Sequence, residues 1–364
     1  MPVRGHPAVH NDQSHPALWK RPSTPDRHDA PVSGAASGRA GGGEGLSHLA
    51  YFYDDKRDYL SYLSAFARAG LRNAEPVFVA VPGRKAVLLR ERLGAESHLL
   101  RYGAIAETGR NPARLIPELR AFLDEHRGRP VRFVSEAIWP GRSEAELCEA
   151  TRHEALMNLA FASSPATIVC PYDAGVLAPS VLAGAERTHP AFLRNGQTQP
   201  AADYAGQGVV PAECEEPLPA PPADARMLAY EASLRPVREL VASHGTALRM
   251  ADDRITNMVI AAGEITANTL RHTGAGGTFW IWHTGEEIIC QARDQGWIAD
   301  PLAGRWRRPP EGSGMACGWS TRSAIWWRSG PARRRARSSG CTCCARTPRP
   351  TGQPRNPGCR GTGQ

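Results

Sequence analysis

The chain has 364 residues, 41% of them hydrophobic and 22% charged, which is enough for two domains with cores of their own. Its 36 Gly and 31 Pro exceed the usual share and point to long irregular stretches, while the lack of a long apolar run excludes a transmembrane helix and the opening residues lack the apolar segment of a secretory signal. The formal net charge of +8 comes from the end of the chain: residues 301–364 hold 13 Arg, no Lys and one acid, Glu311, so residues 1–300 are net acidic.

Residues 1–45 are rich in Gly, Pro, Ser, His and Asp and end in Gly41-Gly42-Gly43. They cannot bury enough apolar area to offset chain entropy and are expected to be disordered. From 46 to about 195 the pattern alternates. Leu60, Leu63, Phe66 and Ala67 recur at helical spacing, and Val77 to Val81 form a continuous apolar run of strand length. Helical spacing returns in Val87 to Leu93, and Asn111-Pro112 opens a helix with Leu115, Ile116, Leu119 and Leu123 on one face. Val131 to Val134 reads as a strand, Glu144 to Phe161 as a helix and Thr167 to Cys170 as a strand. Apolar strands alternating with helices predict an α/β domain, a mostly parallel sheet with helices on both faces.

Residues 196–225 carry Pro200, Pro211, Pro217, Pro219, Pro221 and Pro222 and read as an extended linker. A second domain, 226–310, follows. Val237 to His244 is helical, and Asp252 to His272 is a longer helix with Ile255, Met258, Val259, Ala262 and Ile265 on its core face. Thr278 to Trp282 and Glu287 to Ala292 flank Thr284-Gly285 as an antiparallel hairpin, so this half reads as α+β. Residues 311–364 are basic and show no usable periodicity.

The nine Cys are an odd number, with Cys148, Cys170, Cys214 and Cys290 scattered and Cys317, Cys341, Cys343, Cys344 and Cys359 near the end. With no secretory signal this reads as a reducing, cytoplasmic setting. Cys341-Thr-Cys343-Cys344 matches no zinc spacing, and no His follows His283. Val81-Pro-Gly-Arg-Lys85 follows a strand but lacks the G-x-x-x-x-G-K-S/T pattern of a phosphate loop.

Glu264, Asn268 and His272 are spaced four apart and form one polar stripe on the long helix, drifting about 40° per step. A carboxylate can polarise a nucleophile, and a carboxamide oxygen one turn on can ligate Mg2+. Asp294-Gln-Gly296 follows the hairpin; its Asp can accept from an exocyclic amine, and its Gly lets a ligand approach the backbone. Glu264-Ile-Thr-Ala-Asn268-Thr-Leu-Arg-His272 with Asp294-Gln-Gly296 resembles the N box and first glycine box of the GHKL (Bergerat-type) ATPase fold, most nearly the anti-sigma factor serine kinases of the RsbW and SpoIIAB type. The resemblance implies a two-layer α+β sandwich with an ATP–Mg2+ site. Glu264 would be the general base, Asn268 the Mg2+ ligand, Asp294 the adenine-reading carboxylate and Gly296 the close-approach position; it leaves the role of His272 open.

The earlier domain carries Tyr51-Phe-Tyr-Asp-Asp55, Glu75-Pro-Val-Phe-Val-Ala-Val-Pro82, Gly109-Arg-Asn-Pro112, Glu136-Ala-Ile-Trp-Pro-Gly-Arg142, Arg152-His-Glu-Ala155 and Cys170-Pro-Tyr-Asp173. These motifs resemble the MEDS (DcmR-type) sensory domain, which is paired with a GHKL module in many actinobacterial regulators. The resemblance implies a sensory role for an unnamed ligand, with Glu136, Trp139, His153, Glu154, Tyr172 and Asp173 as candidate pocket residues. Together the two resemblances imply a cytoplasmic switch protein. It would be an ATP-dependent serine kinase that binds a sigma factor and phosphorylates an anti-anti-sigma partner. They allow a homodimer and call for neither direct nucleic-acid binding nor a membrane. The alternatives are a non-catalytic ligand-sensing regulator that titrates a partner, and a sensor histidine kinase, which lacks a phosphoacceptor helix before the ATPase region.

The tail does not supply the second glycine segment and closing strands that the GHKL resemblance requires. Re-read in another frame with GC-rich codons, the DNA for Met315 onward gives H-G-L-W-L-V-N-A-I-C-D-L-V-E-V-R, and that for Ser338 to Cys344 gives V-V-R-L-H-V-L. The first supplies a lid end and an amphipathic helix, the second a strand. The tail thus reads as translated from a shifted frame, and ATP binding is expected to be impaired in the chain as it stands.

Overall fold

The computed structural model describes residues 45–103, 111–214, 218, 220–284, 287–296, 300–303, 305, 326–329 and 339–346. The expected disorder of 1–45 and the Thr284-Gly285 turn therefore fall almost wholly outside the described residues.

The first half is a seven-stranded sheet. Its strands are β1 (Ser47–Tyr53), β2 (Val77–Ala80), β3 (Arg101–Tyr102), β4 (Val131–Ser135), β5 (Ala166–Asp173), β6 (Ala191–Arg194) and β7 (Gln197–Pro200). The order across the sheet is β3-β2-β4-β5-β1-β6-β7. All neighbours are parallel except the β6–β7 hairpin. Val77, Phe78, Val79 and Ala80 are all buried, as strands covered on both faces must be.

Among the described residues five helices provide that cover: α1 (Lys56–Arg72), α2 (Gly83–Leu93), α3 (Leu115–Glu125), α4 (Glu144–Ala160) and α5 (Pro179–Thr188). Alternation along β1 shows how the faces divide. Leu49, Tyr51 and Tyr53 join Tyr59 and Leu63 of α1 and Leu89 of α2 in one core. Ala50 and Phe52 join Ile116 of α3, Leu156 of α4 and Ala185 of α5 in the other. Helix α4 begins in a capping box: the Ser143 hydroxyl accepts from the Glu146 amide, and the Glu146 carboxylate accepts from the Ser143 amide. Ser143→Ala is expected to lower stability by about 1 kcal/mol, read as a shift of the urea midpoint.

The linker begins later than the proline pattern predicts. Gln197–Pro200 pairs with β6, and Ala201 is buried. A further short helical turn, Ala212–Cys214, packs on α4, where Arg152 donates to the Cys214 carbonyl.

The second half contains β8 (Arg226–Tyr230), α6 (Arg235–Ala247), α7 (Asp252–Thr273), β9 (Gly277–Thr284), β10 (Glu287–Asp294), β11 (Trp326–Ser329) and β12 (Ser339–Arg346). Its sheet is antiparallel, in the order β11-β12-β10-β9-β8. Val237 and Val241 of α6 and Met258, Ala262 and Ile265 of α7 pack with Phe279, Ile281, Ile288 and Cys290 of the sheet. Two segments of the tail, expected to be irregular, are thus strands: β12 pairs with β10 over the full length of both. Backbone pairing does not need the apolar alternation used to predict strands, which is why the composition missed them. After β10 the chain returns to the first domain, where Leu302 packs on its core and Arg305 pairs with Glu149. Among the described residues no helix is long and apolar enough to cross a membrane.

Candidate metal centre

Four buried side chains from four separate elements meet beside the sheet. They are His48 on β1, Glu154 on α4, Cys170 on β5 and His189 just after α5, and their donor atoms all lie within 4.8 Å of one another. Parallel pairing of β1 with β5 sets Ala50 against Cys170 and His48 against Ile168, so His48 and Cys170 lie on one face, two residues apart in register. The face is the one that α4 and α5 cover, and Glu154 and His189 come from that side.

The hydrogen bonds fix which atoms face inward. Asn158 Nδ2 donates to the Thr188 carbonyl at 2.7 Å, which turns Asn158 Oδ1 to His48 Nδ1 at 3.0 Å. Asn158 Oδ1 thus accepts from His48 Nδ1, and His48 Nε2 is turned toward Glu154. His189 Nδ1 lies 2.8 Å from the Ala185 carbonyl, an acceptor, so it too carries the proton. Burial, with His48 nearby, pushes the His189 imidazole down to about 3, so at neutral pH its Nε2 is a bare lone pair.

Both Nε2 atoms face the same carboxylate oxygen. Glu154 Oε2 lies 3.4 Å from His48 Nε2 and 3.6 Å from His189 Nε2. Cys170 Sγ is 3.3 Å from His48 Nε2 and 3.3 Å from Glu154 Oε2. The His189 lone pair and the carboxylate repel unless a cation lies between them, and the single thiol proton of Cys170 can satisfy only one of its two contacts. Burial alone would push the Glu154 carboxyl up, but the bond to His48 and the neighbouring His189 and His153 hold it at about 2, so it is an anion. Burial and Glu154 push the Cys170 thiol well up.

These spacings suit a metal ion. A tetrahedral centre with bonds of about 2.0–2.3 Å to N, O and S has ligand–ligand edges of about 3.3–3.7 Å. Four of the six ligand–ligand separations, 3.3 to 3.6 Å, lie in that range, and all six are within 4.8 Å. Two imidazoles, a thiolate and a carboxylate select a d-block dication of the Zn2+ class over Mg2+ or Ca2+. Asn158 and the Ala185 carbonyl supply the outer hydrogen bonds that orient metal-bound imidazoles.

A second polar cluster lies at the carboxyl ends of the strands, where open α/β sheets place ligand sites. Lys85 at the start of α2 donates to Glu136, which follows β4, and to Tyr53 Oη at the end of β1 at 2.5 Å. Tyr59 donates to Glu136 at 3.0 Å, and the Lys85 ammonium lies 5.0 and 4.9 Å from the Tyr53 and Tyr59 ring centres. Burial pushes the Glu136 carboxyl up, and Lys85 opposes it. Asp173, at the end of β5, is also raised by burial against the same lysine.

The six pocket residues expected from the sequence divide accordingly. Glu154 is in the metal-ligand cluster; Glu136 and Asp173 are in the lysine cluster. His153 and Tyr172 are fully buried beside Glu154, with His153 pushed down by burial to about 4. Trp139 is half-buried and stacks under the Arg142 guanidinium at 3.6 Å. Sequence reasoning missed His48, Cys170 and His189 as ligands and Lys85, Tyr53 and Tyr59 as the partners of Glu136. The available signal was His48 on the apolar-alternating face of a strand, where a polar residue requires a partner.

In the second half, Glu264 and Asn268 lie half-buried on α7, and His272 is exposed. Asp294 ends β10 against the same helix: Thr269, next to Asn268, donates to Asp294 Oδ2 at 2.6 Å, and Tyr230 donates to Thr269 at 2.9 Å. The Gly296 amide donates to Asp294 Oδ1 at 2.8 Å, and a Cβ at Gly296 would meet the Thr273 methyl at 2.9 Å, so a larger residue there would have to displace Thr273. Asn268 Oδ1 accepts from Arg271 at 3.0 Å.

No curated protein matches the chain. Residues 47–190, the span that supplies all four converging ligands and the lysine cluster, match the family model described as MEDS: MEthanogen/methylotroph, DcmR Sensory domain.

Proposed function

We propose that the chain is a signalling regulator whose sensory domain holds a transition-metal ion of the Zn2+ class between His48, Glu154, Cys170 and His189. One observation carries this reading: two imidazole Nε2 atoms and a thiol converge on one buried carboxylate, an arrangement that a bound cation stabilises. When bound, the ion fixes β1, α4, β5 and the end of α5 to one another. Metal content of the purified full chain, followed by Zn2+ titration after chelation, is the direct test.

The finer reading keeps the C-terminal half as a GHKL-type ATP site and the whole as an anti-sigma serine kinase. Its supports are the Glu264–Asn268 turn on α7 and the contact of Asp294 with Thr269 beside it. Asn268 Oδ1 would meet Mg2+, Asp294 the adenine amine, and Glu264 would take the serine proton. Transfer of phosphate to an anti-anti-sigma protein, abolished in Glu264→Ala, tests this role; absence of transfer with retained partner binding leaves the regulator as a binding module.

The second, non-catalytic reading is favoured by the bond from Arg271 to Asn268 Oδ1, which occupies the atom that Mg2+ would need. Isothermal titration with Mg-ATP is accordingly expected to show no micromolar site, a site worth about −8 kcal/mol. A low-micromolar affinity overturns that expectation. The shifted-frame reading of the tail rests on the sequence pattern; residues 339–346 as written already pair with β10. The nucleotide sequence between Arg305 and Met315 tests it, and an intact frame in independent isolates rejects it.

A further inference from the structure

Helix α4 carries a cysteine that the metal cluster does not use. Cys148 lies half-buried on its first half, and its sulfur is 2.8 Å from that of Cys214, which is buried in the short turn at the head of the linker. The two residues are 66 apart in sequence. Arg152, one turn beyond Cys148, donates to the Cys214 carbonyl and lies 3.5 Å from Glu149, so the linker backbone is held against the helix at the sulfur pair. A single cysteine would be no site; two sulfurs in contact, with the backbone of one clamped to the helix of the other, are a dithiol set to close.

We propose that Cys148 and Cys214 form a reversible disulfide on exposure to a peroxide, fastening the head of the linker to α4. One thiol, as thiolate, attacks a peroxide oxygen to give a sulfenic acid and water. The second sulfur then displaces the hydroxyl as water, so two thiols and hydrogen peroxide become a disulfide and two waters. In a reducing compartment such a bond is a signal, not a permanent staple. The loop it closes, residues 148–214, contains Glu154, Cys170 and His189, so oxidation restrains three of the four converging ligands and the start of the connection to the second half.

The test uses the full chain treated with one equivalent of hydrogen peroxide, quenched with N-ethylmaleimide and digested with trypsin. Cys148 lies in peptide 143–152 and Cys214 in peptide 195–226, which separates both from the five cysteines of the tail. The expected result is a cross-link of these two peptides, lost on reduction and enriched about ten-fold or more over the same chain oxidised in urea. Cys148→Ser should leave Cys214 alkylated and Cys214→Ser should leave Cys148 alkylated. Proteolysis within 201–224 should slow several-fold after oxidation of the wild type. Recovery of both peptides alkylated, a cross-link no more abundant than in urea, or preferential pairing of either cysteine with the tail overturns the proposal. The wild-type peptide map decides the matter even if a serine variant fails to fold, and it is independent of whether metal binds.

Discussion

Zn2+ affinity is expected to fall by about 100-fold or more in Glu154→Gln, and by about 10- to 100-fold in Asn158→Ala, with the fold retained in both. Glu154 is the hub: its Oε2 faces both imidazole Nε2 atoms and the Cys170 sulfur. Glutamine keeps the size of the side chain but removes the negative charge that a dication needs in a site sealed from water. Asn158 touches no other ligand atom of the four; it aims His48 through Nδ1, so its loss frees the ring to turn. Co2+ in place of Zn2+ provides the readout, since a thiolate from Cys170 gives a ligand-to-metal charge-transfer band and tetrahedral geometry gives intense visible bands. Both should disappear in Cys170→Ser, while a weaker visible spectrum persists. The controls matter because the chain has other soft donors, His6, His10, His15 and His28 near its start and Cys341, Cys343 and Cys344 near its end. Binding that survives Glu154→Gln unchanged would belong to those residues and would remove the proposed centre.

Breaking the Lys85–Glu136 pair from one side is expected to cost about 3–5 kcal/mol, among the largest single effects in the chain. Both side chains are 1% exposed, and each is the principal charge partner of the other. Glu136→Ala leaves a buried ammonium against two tyrosine rings, and Lys85→Met leaves a buried carboxylate whose pKa burial already raises. The double change Lys85→Met with Glu136→Leu removes both charges together and should recover most of the loss, because well-packed apolar groups can replace a buried ion pair. Urea unfolding of the two single variants and the double variant measures the coupling directly. A single variant within about 1 kcal/mol of the wild type would show that water reaches the pair and that the cluster is open to solvent.

Local pattern made much of the scaffold legible, for reasons that particular elements show. The Val77–Ala80 run and the period of Leu115, Ile116 and Leu119 are set by burial on a sheet covered on two faces, and burial leaves a readable trace in sequence. Strand β8, Arg226–Tyr230, left none because it lies at a sheet edge with most side chains exposed. Gln197–Pro200 was hidden by its polarity: it pairs through backbone alone at the other sheet's edge. The metal ligands could not be found by spacing at all. Each comes from a different element, and His48 and Cys170 meet across 122 residues. The histidine in SHLAYFY is marked in sequence only as a polar group in an apolar strand that needs a partner; the pairing of β1 with β5 shows that Cys170 lies beside it. Glu154 was singled out through the Arg152-His-Glu-Ala155 motif of the family resemblance, which does not say what meets it.

The order in which the ligands leave the ribosome has its own consequence. His48 emerges near the start of the sensory domain and His189 at its end, so the site cannot be completed until the whole domain has been synthesised. A nascent chain halted before α5 would present a half-built site that exchanges its metal quickly. If the proposed centre holds zinc, its capture would act as a checkpoint on completion of the domain, and a shortage of zinc during synthesis would leave newly made copies open at this seam while older copies remain loaded.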